Sequence, residues 1–312
     1  MLYSAFLPGT GGLPFVAPFQ GNVVFTNIAM TVDADGNAYF AANGSPGFPV
    51  TDGALETSGP VVAGKLDPTG TQLLYGTYLG GSEPGFGSSI GGIAVDSEGS
   101  VYLAGSANTG VFVAKLNPAG TAVVYRTDLG AGSYSHPMQV RVDAAGEAYV
   151  LGLVQGPGYP VTGGAFQTTY PLGGCSFLTK LSADGSTLVY STFLSVTGAP
   201  PTGFDVDAAG TAYVGGQTGP GFPVSESAAQ AAYGGGGDDV FIAQFTPDGR
   251  LGAATYLGGS SYESAFAVAA VSDGSIVVSG VTNSPDFPAT GAATAGFFVA
   301  RLTVAEPAAA GQ

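Results

Sequence analysis

A four-part pattern returns five times along the chain, and it constrains the fold more than any other feature. One copy reads TVDADGNAYFAANG over residues 31–44, GFPVT over 47–51 and VAGKLDPTGTQLLYGTYLGG over 62–81. The V-D-x-x-G element returns as AVDSEGSVYLAG (94–105), RVDAAGEAYVLG (141–152), DVDAAGTAYVGG (205–216) and AVSDGSIVVSG (270–280). A second element returns as FVAKLNPAG (112–120), FLTKLSADG (177–185), FIAQFTPDG (241–249) and FFVARLT (297–303). A third, LLYGTYLGG (73–81), returns as VVYRTDLG (123–130), LVYSTFL (188–194) and AATYLGG (253–259), and LYSAFL (2–7) is its fifth copy. Such self-similarity means a stack of one supersecondary unit.

Each element is a short run of alternating apolar and small or polar residues, the pattern of a strand. Asp33 to Gly36 and Asp67 to Gly70 read as tight hairpin turns, with Asp opening a type I turn and Gly in the left-handed position after it. Every unit then has four strands, named here A (such as Ile93–Asp96), B (Val101–Gly105), C (Val111–Leu116) and D (Val123–Leu129). Gly and Pro together make 74 of 312 residues, which argues against long helices and for many turns. Four-stranded units repeated radially make a β-propeller. The expected fold is all-β, a single five-bladed propeller over residues 1–304. Its blades cover about 28–79, 90–129, 137–194, 202–257 and 265–303 plus 1–7, and 305–312 form a tail or linker. The last unit stops after strand C, and the lone strand D at 2–7 is expected to complete it. The rival reading is a piece of a longer array.

The combination D-x-x-G-N-x-Y, G-F-P-V-T, F-V-A-K-L-D-P-x-G and L-x-Y-x-T-Y-L-G-G resembles the bacterial β-propeller repeat called SBBP, over about residues 1–303. The chain departs from that pattern in having five units rather than seven, and in Ser272 where the fifth unit should carry Asp. The resemblance implies a blade fold and a secreted or cell-surface bacterial protein; it brings no catalytic motif. No signal peptide is visible in MLYSAFLPGTGG.

In such a blade the D-to-A and B-to-C loops open on one side, and the long, variable loops here are all of that kind. Units 1, 3, 4 and 5 carry Phe48-Pro49, Tyr159-Pro160, Phe222-Pro223 and Phe287-Pro288 in a long B-to-C loop, whereas unit 2 has only SANTG (106–110). The missing loop is expected to leave a notch, flanked by Glu83 and Phe86 on one side and by Tyr134 and His136, the one histidine, on the other. Tyr134, Phe86 and Tyr262 suit stacking on a ligand; Glu83, His136 and Glu263 suit hydrogen bonding to it. Arg141 and Asp205 hold the same strand-A position in successive units and read as a charged pair near the axis. The favoured function is a binding or scaffold module for a glycan, peptide or small molecule. The alternative is an enzyme, a lyase, cyclase or glycoside hydrolase, using His136 with a carboxylate among Glu83 and Asp205, and Tyr134 beside them.

Composition narrows the partners. Seven basic against 22 acidic residues give a net charge of −15, which repels nucleic acid and anionic membrane surfaces. No run of 18 apolar residues offers a transmembrane helix. With one His and one Cys, a His- or thiolate-rich metal site is excluded. Asp33-Ala34-Asp35-Gly36-Asn37 looks like the start of a calcium loop, but no bidentate Glu closes it, and the sister turns suggest that its first Asp caps its own backbone. No cofactor is therefore expected. A ring leaves no long strand edge exposed, so a monomer is expected.

Overall fold

A computed structural model describes residues 28–44, 46–80, 89–107, 110–131, 135–171, 174–194, 200–290 and 295–303. The copy of strand D at 2–7 and the tail at 305–312 lie outside these residues. The described chain is all-β, with nineteen strands in five sheets. The first sheet is β1 (Ala29–Val32), β2 (Ala38–Asn43), β3 (Val61–Leu66) and β4 (Leu73–Leu79); the second is β5 (Ser89–Val95), β6 (Val101–Ala107), β7 (Gly110–Leu116) and β8 (Val123–Ala131). The third is β9 (His136–Val142), β10 (Ala148–Val154), β11 (Cys175–Leu181) and β12 (Leu188–Leu194); the fourth is β13 (Gly203–Val206), β14 (Ala212–Thr218), β15 (Asp239–Phe245) and β16 (Leu251–Leu257). The fifth holds β17 (Glu263–Ala270), β18 (Ser275–Thr282) and β19 (Gly296–Thr303). Each sheet is an up-and-down meander in chain order, which is the blade pattern expected from the repeat. The chain divides into two compact units, Met1–Pro160 with Leu181–Leu188, and Val161–Lys180 with Val189–Gln312.

The A–B turns form as the Asp and Gly positions dictate. In the first, the Gly36 N–H donates to Asp33 O and the Asp33 N–H to Asn37 O, both at 3.1 Å, and Gly36 has φ of +85°. The Asp side chain then does three further jobs. Asp96 Oδ1 accepts the N–H groups of Glu98 and Ser100, at 3.0 and 2.8 Å. Its Oδ2 accepts the Tyr102 hydroxyl at 3.1 Å and pairs with Lys115 Nζ at 3.1 Å, while that ammonium stands over the Tyr102 ring. Asp33, Tyr39 and Lys65 repeat the arrangement in the first sheet. The Asp–Tyr bond recurs as Asp143 with Tyr149 and Asp207 with Tyr213. The repeat is thus a covalent spacing of three groups that must meet across strands A, B and C.

In the first unit, Tyr39, Ala41, Val61 and Ala63 of the first sheet pack against Ile93, Leu103, Phe112 and Ala114 of the second. Strand A approaches its neighbour so closely that a Cβ on Gly92 would lie 2.7 Å from Val140 N. Three C–D turns also rest on the D-strand tyrosine of the preceding sheet. A Cβ on Gly120, whose φ is +69°, would meet the Tyr75 ring at 2.5 Å, and Gly185 meets Tyr125 in the same way. In the second unit Gly249 sits on Tyr190, and Val240, Ile242 and Leu257 pack against Ala265, Val268, Ile276 and Phe298.

The long B-to-C loops fold back onto the D strand of their own sheet. Thr51 N donates to Gly76 O at 3.0 Å, and Gly76 N donates to Thr51 Oγ1 at 3.1 Å. Thr162 binds Ser191 identically, and Ser225 binds Ala254. A second clasp follows one turn later, where Tyr78, Phe193 and Tyr256 donate their N–H groups to Glu56 O, Gln167 O and Gln230 O. The second sheet has no such loop: Ala107 pairs directly with Gly110, and the β7–β8 ladder continues to Ala131.

The fifth sheet buries one face. Burial alternates along β18 and β19, whereas β15 is buried on both faces. Phe266, Phe297 and Val299 are 51, 87 and 76% exposed, and the two phenylalanine rings lie 6.4 Å apart. Ile28, Met30 and Val32, at and just before β1, are also exposed.

Candidate functional site

In the first unit the short β6–β7 hairpin and the start of β9 bring two sequence-selected features together, the shortened loop and His136. His136 is half-buried, and its Nδ1 lies 3.2 Å from Ser106 Oγ. The Ser106 hydroxyl donates to Ser135 O at 2.9 Å. A hydroxyl has one proton, so Nδ1 donates to Ser106 Oγ, and in the neutral ring this leaves the lone pair on Nε2. This polarity is the reverse of an activated serine, which gives its proton to the imidazole. Ser106 and His136 therefore form a positioned donor–acceptor group rather than a nucleophile and its base. Glu83, Phe86 and Tyr134 lie outside the described residues.

Arg141 is partly buried on β9, where its guanidinium donates to Val140 O at 3.0 Å and to Gln139 Oε1 at 3.4 Å. Asp205, on β13 of the second unit, accepts the Ala270 N–H at 2.8 Å and so ties strand A of the fourth sheet to that of the fifth.

The second unit collects several acids, Glu263 among them. Asp239 opens β15 and is fully buried. Its Oδ2 accepts the Gly234 N–H at 2.7 Å, and Oδ1 has no hydrogen-bond partner and lies against Gly258, where a Cβ would stand 2.6 Å away. Burial pushes the Asp239 carboxyl up to about 6, and the nearby charges of Glu263 and Asp238 add to this. Glu263, expected from sequence to hydrogen-bond a ligand, opens β17 and is fully buried. Its Oε2 accepts the Gly259 N–H at 2.9 Å and so holds the 258–262 loop, and its Oε1 accepts the Thr282 hydroxyl of β18 at 2.6 Å. Asp286 accepts the Ser260 N–H and hydroxyl from the other side of that loop. Tyr262 is exposed, and its hydroxyl donates to Gln217 Oε1 at 2.8 Å. The G-G-G-G-D-D run at 234–239 was the available signal for Asp239, because glycines let a backbone close over a side chain.

Among the described residues no group of three or more His, Cys, Asp or Glu is placed to hold a metal. Asp33, the first residue of the calcium-like turn, spends Oδ1 on the Asp35 and Asn37 N–H groups and Oδ2 on Asn37 and Tyr39. Cys175 is buried, and desolvation pushes its thiol up to about 11.

No family model matches the chain, and no curated protein matches it. Among solved structures it is similar to Kuenenia stuttgartiensis hydrazine synthase, at 12% identity and a TM-score of 0.47, over 85% of this chain and 79% of that one. It is similar to puromycin hydrolase at 17% identity and a TM-score of 0.45, over 86% of this chain and 38% of that one. It is also similar to the tricorn protease at 12% identity and a TM-score of 0.44, over 90% of this chain and 22% of that one. These likenesses concern the fold alone and transfer no residue role.

Proposed function

We propose that the chain is a binding module, a five-bladed propeller of the SBBP type from a secreted or surface bacterial protein, with its ligand on the loop side of the second sheet. The observation that supports this reading most is local. The B-to-C connection closes by direct pairing of Ala107 with Gly110, and beside it stands the half-buried His136, held by Ser106. The first, third and fourth sheets lay a long loop over strand D, and the second does not. The proton order through Ser106 favours binding over nucleophilic catalysis, because His136 offers Nε2 as an acceptor while its Nδ1 proton is already used. The net charge of −15 favours uncharged or cationic ligands, so glycans, peptides and small neutral molecules are the classes to screen.

The test is a screen of neutral oligosaccharides and cationic peptides by calorimetry, repeated with His136→Ala and with Ser106→Ala. A bound ligand should lose about tenfold or more in affinity with His136→Ala, the effect of about 1.4 kcal/mol. A ligand that binds both variants as tightly as the parent would move the site elsewhere. Turnover of any screened compound that His136→Ala abolishes would favour the enzyme reading.

A further inference from the structure

Strand C carries a cation in the first two sheets and an amide in the fourth. Lys65 pairs in register with Tyr39, and Lys115 with Tyr102, so each lysine shares a sheet face with its tyrosine. The ammonium groups stand 4.7 and 4.8 Å from the ring centroids, and 3.6 and 3.1 Å from Asp33 Oδ2 and Asp96 Oδ2. In the fourth sheet the residue in register with Tyr213 is Gln244. The rest of the arrangement is kept. Asp207 Oδ1 accepts the Ala209 and Thr211 N–H groups, both at 2.9 Å, and Oδ2 accepts the Tyr213 hydroxyl at 3.0 Å. Among the described residues these side-chain partners of Asp207 include no cation. Gln244 is only 4% exposed, and its Oε1 is buried without a hydrogen-bond partner. Strand D differs as well. Lys65 and Lys115 face Tyr75 and Tyr125, whereas Gln244 faces Ala253, so no aromatic ring crowds it from that side.

We propose that the fourth sheet binds a monovalent cation of ammonium or potassium size, held by Asp207 Oδ2, Gln244 Oε1 and the face of the Tyr213 ring. The argument is one of equivalence. A glutamine side chain ends one bond short of a lysine, so its oxygen stops before the place that the ammonium takes in the first two sheets. Three electron-rich groups then converge there: a carboxylate oxygen, an amide oxygen and an aromatic face. A buried acceptor that meets neither a donor nor a cation costs free energy, and a small cation satisfies all three groups at once. The charge matches, because one carboxylate balances one positive charge. A divalent ion does not match: calcium takes about six to eight oxygen ligands, and magnesium an octahedral shell. Lysine's head is itself a compact monovalent ammonium, and the Asp–Tyr pair holds it in two sheets of this chain. Asp207 is half-buried, so the ion enters beside the A–B turn.

The experiment is thermal unfolding of the full chain in potassium, ammonium and choline chlorides at equal ionic strength. Choline is too bulky for the position and serves as the reference. Potassium and ammonium should each raise the melting temperature by about 2–4 °C over choline, the linkage effect of a ligand that binds only the folded state. Gln244→Lys supplies the ammonium covalently. It should melt above the parent in choline and show no increment with potassium. Asp207→Asn loosens the A–B turn in every salt, but the difference between salts should vanish with it. Equal melting in all three salts would overturn the proposal, and so would an increment that Gln244→Lys retains. A second measurement reads the ion in the unaltered protein. Crystals soaked in thallium(I) acetate should show an anomalous peak beside Asp207 and Gln244, and the absence of a peak there would refute the placement. None of these readouts depends on ligand binding near His136.

Discussion

Asp96 shows how one carboxylate is made indispensable by what its two oxygens do. One closes the A–B turn through two backbone N–H groups; the other holds a tyrosine and a lysine that come from strands B and C. These bonds to the ionised form, with the Lys115 charge beside it, outweigh its partial burial and hold its pKa below the ordinary value; the same is true of Asp33. Asp96→Ala should therefore cost about 2–3 kcal/mol in urea unfolding, since it leaves a half-buried ammonium and two turn amides without their acceptor. A depressed folded-state pKa stabilises above the unfolded value near 4 and is lost as pH falls through the folded one. Asp239 has the opposite sign. Its folded pKa, about 6, exceeds the unfolded value, so its contribution is fully present at low pH and is lost as pH rises through 6. Asp239→Asn should raise the melting temperature relative to the parent at pH 8 and leave it nearly unchanged at pH 4. Paired thermal scans at the two pH values measure this; an equal shift at both would mean that charge is not the cause.

At the scale of elements, the strands and A–B turns were legible because their causes are local. Alternation, the Asp at the first turn position and the Gly after it act within a few residues. The B-to-C loops were legible as long loops but not as clamps. Their hydrogen bonds join Thr51 to Gly76, Thr162 to Ser191 and Ser225 to Ala254, 25 to 29 residues apart, and only the hairpin geometry brings these together. Thr162→Val keeps the shape and removes the hydroxyl that accepts the Ser191 N–H. It should cost about 1–2 kcal/mol in denaturant unfolding, with amides of β12 exchanging faster than those of β10. Uniform exchange along the third sheet would contradict the clamp. The second sheet needs no such loop because β7 and β8 extend their own ladder, an adjustment that the short SANTG segment alone did not reveal.

At the scale of the whole molecule, charge is the dominant long-range term. With −15 against seven basic residues, several of them spent on internal pairs such as Lys65–Asp33 and Lys115–Asp96, the surface repels itself. Raising salt from about 10 mM to about 150 mM shortens the Debye length from about 30 to about 8 Å and should raise the melting temperature by a few degrees. A melting temperature independent of salt would show that the acids are already neutralised locally.

What the sequence determined by itself is the blade: four strands, tight turns and their fivefold recurrence, because each rests on alternation and turn chemistry within a short window. It also marked His136, Tyr262 and the shortened loop of the second unit. The tertiary structure decided the state of the acids. Glu263 and Asp239 are buried because the 234–237 and 258–262 loops close over them, and desolvation depends on atoms distant in the chain. The proton order through Ser106 was likewise decided by the approach of Ser135 O, 29 residues away, since a hydroxyl donates its single proton to the acceptor that the fold presents.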